Sequence, residues 1–136
     1  MMETQRINIE NIPAILWGPH AEKVWIAVHG DQSHKADVVM AILAEEAVQK
    51  GCQVLSFDLP EHGDRQGESR RCDVRNCAED IRKVITYARG EWRDLCLFGC
   101  SLGAYFGMLA CREEPLTQAL FLSPVVDMKR LIRNMM

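Results

Sequence analysis

Ser101 sits in Gly-Cys-Ser-Leu-Gly, residues 99–103, with apolar residues running on either side. A serine hydroxyl becomes an effective nucleophile only when a base takes its proton during attack. The chemistry in question is therefore acyl transfer, with Ser101 adding to a carbonyl carbon. A serine between spaced glycines is weak evidence by itself, so its setting decides. Here "LCLF" leads into the motif and "LGAYFGMLA" follows it, the strand-to-helix context that a nucleophile elbow requires. Such a turn strains the serine backbone and leaves room only for small residues two positions away, which Gly99 and Gly103 provide. A helix beginning at Leu102 also aims its first N–H groups at the spot where negative charge would develop. Cys100 is expected to turn away into the packing, because the elbow presents its middle residue.

The elements that must position this serine follow from hydrophobic pattern. Four apolar runs, "VWIAVHG" (24–30), "CQVLSFDL" (52–59), "LCLFG" (95–99) and "QALFLSPVV" (118–126), are continuous rather than alternating. That predicts strands covered on both faces, as in a parallel sheet. Helical spacing marks 35–50, where Val38, Val39, Ile42, Leu43 and Ala47 share a side, and 73–89, closed by Gly90. A third helix, 102–113, is apolar nearly all round. "QRINIE" and "AILWG" flank "NIP" and predict an antiparallel hairpin at the sheet edge. A last amphipathic piece, 127–136, opens on Asp127 as an N-cap. The expected fold is one α/β domain over 1–136, a three-layer, mostly parallel, doubly wound sheet.

Composition narrows the partners. The chain has 136 residues, 48% apolar and 26% charged, with a formal net charge of -3. This is ordinary globular composition with no electrostatic footprint for nucleic acid. Arg65, Arg70, Arg71 and Arg75 are interrupted by acidic residues and read as a solvated loop and helix start. No run is long enough to span a bilayer, and "MMETQRINIENIP" has no signal-peptide character. A cytoplasmic location is expected, with six reduced cysteines, no CxxC pair and no metal site. Neither a Walker A run nor a G-x-G-x-x-G occurs, and no cofactor is expected.

Three features in order resemble the α/β-hydrolase family: "VHG" (28–30) ending a buried strand, "FDLPEHGDR" (57–65), close to the family's D-x-P-G-H-G-x-S pattern, and "GCSLG" (99–103). The likeness spans nearly the whole chain. Glu61 replaces the pattern's glycine, and Asp64 and Arg65 stand where a small residue is common. The resemblance implies that Ser101 is the nucleophile of a serine hydrolase acting on a small ester, thioester or amide. It further implies an oxyanion hole made by the Leu102 N–H and a second N–H from Asp31 or Gln32.

The base is the difficulty. In this family the triad runs Ser, then Asp or Glu, then His, yet His20, His29, His34 and His62 all precede Ser101. The resemblance therefore implies a chain that stops after the sixth strand, before the last two strands and final helix that carry acid and histidine. Within the chain, His29 is the candidate substitute base, though its expected work is to hold the oxyanion loop. Asp127 is the candidate acid, at a place some family members use, as well as an N-cap. His62 is expected to face solvent or be tied to its own loop. An outermost strand at 118–126 would expose unpaired backbone groups, predicting a homo-oligomer through that edge. The alternative function is a non-catalytic α/β module binding a small anion or a partner chain at the same N–H groups. A flavodoxin-like domain shares the strand–helix alternation but does not account for the HG and GxSxG sequences together.

Overall fold

A computed structural model of the chain describes residues 2–112, 114–122 and 132–133. Six strands and three longer helices alternate: β1 (Thr4–Ile9), β2 (Ile12–Trp17), β3 (Lys23–Val28), α1 (Val38–Gln49), β4 (Gln53–Phe57), α2 (Val74–Arg89), β5 (Asp94–Cys100), α3 (Leu102–Ala110) and β6 (Gln118–Leu122). One sheet holds them all in the order β1-β2-β4-β3-β5-β6. β1 and β2 run antiparallel to their neighbours, whereas β4, β3, β5 and β6 are mutually parallel.

The continuous apolar runs are explained by burial on both faces. Along β3, Val24, Ile26 and Val28 join one core cluster with Ile81, Ile85 and Phe106 from α2 and α3. Trp25 and Ala27 point the other way, onto Met40, Leu43 and Ala47 of α1. Each strand residue thus meets a helix whichever way the pleat turns it. Among the described residues no helix is long and apolar enough to cross a membrane.

Three expectations need correction. The hairpin turns at Glu10–Asn11 rather than over "NIP", both residues taking positive φ (47° and 71°) as a tight two-residue turn demands. Asn8 fastens it by accepting the Asn11 N–H (2.8 Å), and Pro13 falls early in β2 opposite Asn8. Helix α1 starts at Val38, not Lys35, because Asp37 caps it through the Val39 N–H (2.7 Å). Its buried face keeps Leu43 and Ala47 as expected but adds Met40, Ala44 and Glu46 and leaves Val38 exposed. Finally, Arg65 is not solvated. It lies buried against Asp80, its guanidinium 2.7 Å from a carboxylate that is itself enclosed.

β6 is the last strand in the sheet order, and Gln118 and Ala119 on it are exposed. Residues 123–130, including Asp127, lie outside the described residues. Ile132 packs into the α1-side cluster, and the Arg133 Nε–H donates to Glu46 Oε1 at 3.1 Å.

Candidate active site

β5 feeds directly into α3, and Ser101 is the single residue between them. Its N–H still continues the β5–β6 ladder, donating to the Leu122 carbonyl at 2.7 Å, while its carbonyl already accepts from Ala104. Joining strand to helix in one residue forces φ 58°, ψ -118° on Ser101, a conformation costing a non-glycine residue on the order of 1–3 kcal/mol. The neighbouring glycines make the turn possible by close approach. A Cβ on Gly103 would stand 2.3 Å from the His29 carbonyl oxygen and 2.4 Å from that of Val28. A Cβ on Gly99 would stand 2.8 Å from Ala104 Cα. Helix α3 therefore starts hard against the end of β3, with Ser101 beside Gly30.

The Leu102 N–H opens α3 and has no partner within the helix, so the end of the helix presents partial positive charge. Leu102 lines a cleft of about 550 Å³ together with Asp31, Gln32, His34, Glu61, His62 and Cys72. Sheet order produces this assembly, since β3 lies between β4 and β5. The loops after β3 and β4 thus meet the serine turn at one end of the sheet.

Two of the four histidines, His29 and His62, have both ring nitrogens occupied. His29 is fully buried; its Nδ1–H donates to the Gly30 carbonyl (2.7 Å) and its Nε2 accepts the Leu59 N–H (3.0 Å). With both ring nitrogens used, it has none free for Ser101, so its place is structural and not that of a substitute base. His62 repeats the arrangement one loop over, its Nδ1–H on the Pro60 carbonyl (2.9 Å) and its Nε2 accepting the Gln32 N–H (3.1 Å). Gln32 has therefore committed its N–H to an imidazole, which leaves Asp31 as the candidate for a second oxyanion donor. His20 lines a different cleft, with Trp92 and Gln53. Cys100 packs in the α1-side core. Among the described residues no group of His, Cys, Asp or Glu is arranged to hold a metal ion.

Residues 19–136 match the family model described as serine aminopeptidase, S33. The chain belongs to this α/β-hydrolase family. The solved structures it resembles agree on the fold. An esterase from an Arctic intertidal metagenomic library superposes with a TM-score of 0.69 at 18% identity, over 88% of this chain and 59% of that one. TT1662 from Thermus thermophilus gives 0.70 at 25%, covering 98% and 67%. The α/β hydrolase GrgF from a Penicillium species gives 0.74 at 18%, covering 93% and 47%. This chain thus spans about half to two thirds of the length of these structures. No curated protein matches it.

The departures from the family's loop pattern are put to use. Glu61 occupies the pattern's glycine position with φ 69°, the left-handed region that disfavours side chains. Its carboxylate offsets that strain by accepting the Cys72 N–H at 2.6 Å. Asp64 and Arg65 replace small residues, and each anchors a charge: Asp64 binds Lys35 Nζ (2.7 Å) and Arg65 binds Asp80 (2.7 Å). Lys35, taken from sequence as the start of a helix, instead reaches inward to Asp58, which is fully buried. Sequence pattern marked Asp58 as the first residue of the "DLPEHGDR" motif but not Lys35 as its partner, because that pairing joins residues 23 apart.

Burial depresses the His29 pKa to about 4, the nearby His62 adding to the effect against the opposing Gly30 hydrogen bond. The folded state thus favours neutral His29, a contribution fully present above pH 6.5 and lost as pH falls toward about 4. That gap corresponds to about 3 kcal/mol. Urea midpoints taken from pH 7 to pH 4 should fall less steeply in His29→Asn than in the unmodified chain. Parallel curves would show that His29 is not held neutral.

Proposed function

We propose that this chain carries the nucleophile and oxyanion half of a serine hydrolase acting on a small-molecule ester, thioester or amide. What supports this most is the backbone of Ser101, held at positive φ between a buried strand and the N-terminus of α3. Strain of this kind persists only where the surroundings impose it, and it lifts the serine out of the packing. In the proposed reaction Ser101 Oγ bonds to the carbonyl carbon while the carbonyl π electrons move onto oxygen. The Leu102 and Asp31 N–H groups receive that oxyanion, each such donor lowering the barrier by about 3 kcal/mol. Collapse of the adduct expels the alcohol, thiol or amine and leaves an acyl-serine that water then hydrolyses. The proton of Ser101 goes to a base other than His29 and His62, whose nitrogens are taken. We place that base on another segment or chain, consistent with the greater length of the structures it resembles.

A fluorophosphonate probe tests the assignment. Slow covalent labelling is expected, mapping to Ser101 and abolished in Ser101→Ala. Failure of the unmodified chain to label would remove the nucleophile reading. It would favour the second one, which the occupied histidines also support: a non-catalytic module holding a carboxylate or phosphate at the Leu102 N–H. Such binding would survive Ser101→Ala.

A further inference from the structure

Cys72 and Cys77 meet across the first turn of α2, their sulfurs 3.5 Å apart. Asp73 caps this helix, accepting the Asn76 N–H at 2.8 Å. Cys72 therefore precedes the cap and Cys77 is the fourth helical residue, the two positions that ordinarily share a hydrophobic staple. Here the staple is made of two free thiols. Their surroundings hold the Arg71–Cys72 peptide that leads into the pair. The Cys72 N–H is bound by Glu61 (2.6 Å), and Asn76 Nδ2 donates to the Arg71 carbonyl (2.9 Å). A disulfide needs its sulfurs about 2.05 Å apart, so the pair must close by about 1.5 Å through side-chain rotation.

The two thiols differ in access. Cys77 is fully buried, whereas Cys72 is partly exposed and lines the cleft beside Leu102 and Glu61. We propose that Cys72 and Cys77 are an oxidative modification site, at which a low-molecular-weight disulfide of the glutathione class turns the thiol staple into a covalent one on the cleft wall. Cys72 loses its proton to solvent and attacks one sulfur of the reagent, forming a mixed disulfide and expelling one thiolate. Cys77 then loses its proton and attacks the Cys72 sulfur, expelling the second thiolate. Two protein thiols are oxidised and one small disulfide is reduced to two thiols. Burial pushes both protein thiols above their ordinary range, so the thiolate fraction and the rate should rise about tenfold per pH unit through neutrality. The site responds to sustained oxidising conditions rather than to a brief pulse. Once closed, it ties the first turn of α2 to the loop that Glu61 anchors.

The test treats the native full chain with oxidised glutathione at pH 8, blocks remaining thiols by alkylation and digests with trypsin. Cleavage after Arg71, Arg75 and Arg82 separates residues 72–75 from 76–82. The expected product is these two peptides joined, lighter than their sum by two hydrogens. Cys77→Ser should instead retain glutathione on Cys72, and Cys111→Ser should give the same joined peptides as the unmodified chain. Recovery of Cys72 as a lasting glutathione adduct with Cys77 still alkylatable would overturn the proposal. So would recovery of both thiols unmodified, or linkage of Cys72 to any other cysteine.

Discussion

Gly103→Ala is expected to destabilise the domain by about 3–5 kcal/mol, enough to unfold a marginal protein. The sign is the informative part, since exchanging glycine for alanine within a helix ordinarily gains up to about 1 kcal/mol. Here the added methyl would fall 2.3 Å and 2.4 Å from the carbonyl oxygens of His29 and Val28. Backbone atoms in the middle of a sheet do not move aside cheaply, so α3 must be pushed off β3 and the Ser101 turn with it. Gly107→Ala in the same helix is the internal comparison. Its nearest neighbours are ends of side chains, Leu97 Cδ2 and Phe121 Cε1, at 3.3 Å, and a change within about 1 kcal/mol is expected. Urea unfolding of both variants checks this, and equal stabilities would show that the α3–β3 contact yields. Fluorophosphonate labelling of Ser101 should fall with Gly103→Ala and survive Gly107→Ala.

Asp58→Asn is expected to cost about 3–5 kcal/mol, because it strips a buried cation of its enclosed partner and leaves it only the solvent-exposed Asp64. Lys35 Nζ lies 2.6 Å from Asp58 Oδ2, and both side chains are almost wholly enclosed. Burial opposes the charge on Lys35, yet the hydrogen bonds its Nζ donates to Asp58 and Asp64 hold its pKa above the ordinary value. Asp58 also accepts the backbone N–H of Lys35 and of Asp64, both at 2.9 Å. One carboxylate therefore latches the loop after β3 to the loop after β4, the two segments that face Leu102 across the cleft. An amide in its place retains one acceptor oxygen and turns an N–H₂ toward the ammonium or toward a backbone donor. Denaturant midpoints at pH 7 measure the loss. A cost under about 1 kcal/mol would mean that water reaches Lys35 and solvates it.

The strands were readable because their cause is local. "VWIAV" is apolar at every position, and only a strand covered on both sides uses all of them, as the division of Val24, Ile26 and Val28 from Trp25 and Ala27 shows. Asp73 and Gly90 similarly bracket α2 as the periodicity predicts. The face of α1 was less legible, since Val38 and Met40 are equally apolar and the packing of β4 and β5 decided between them. Arg65 read as a surface charge because its partner Asp80 lies 15 residues on. Nothing in the run of residues announces that pairing.

The sequence by itself determined the order of strands and helices, and the strand–Gly-x-Ser-x-Gly–helix passage that dictates a strained serine at position 101. These depend on side-chain pattern and on glycine within a few residues. Only the tertiary structure decided which groups stay free to act. By setting β3 between β4 and β5 it brought the loops after β3 and β4 to the Ser101 turn. There the ring nitrogens of His29 and His62 met backbone partners 1 to 30 residues away, and the Gln32 N–H was taken up in the process. A histidine's residue type is a local fact, but the availability of its nitrogens depends on every donor and acceptor the fold packs around it. That is why GCSLG foretold the turn and could not foretell the base.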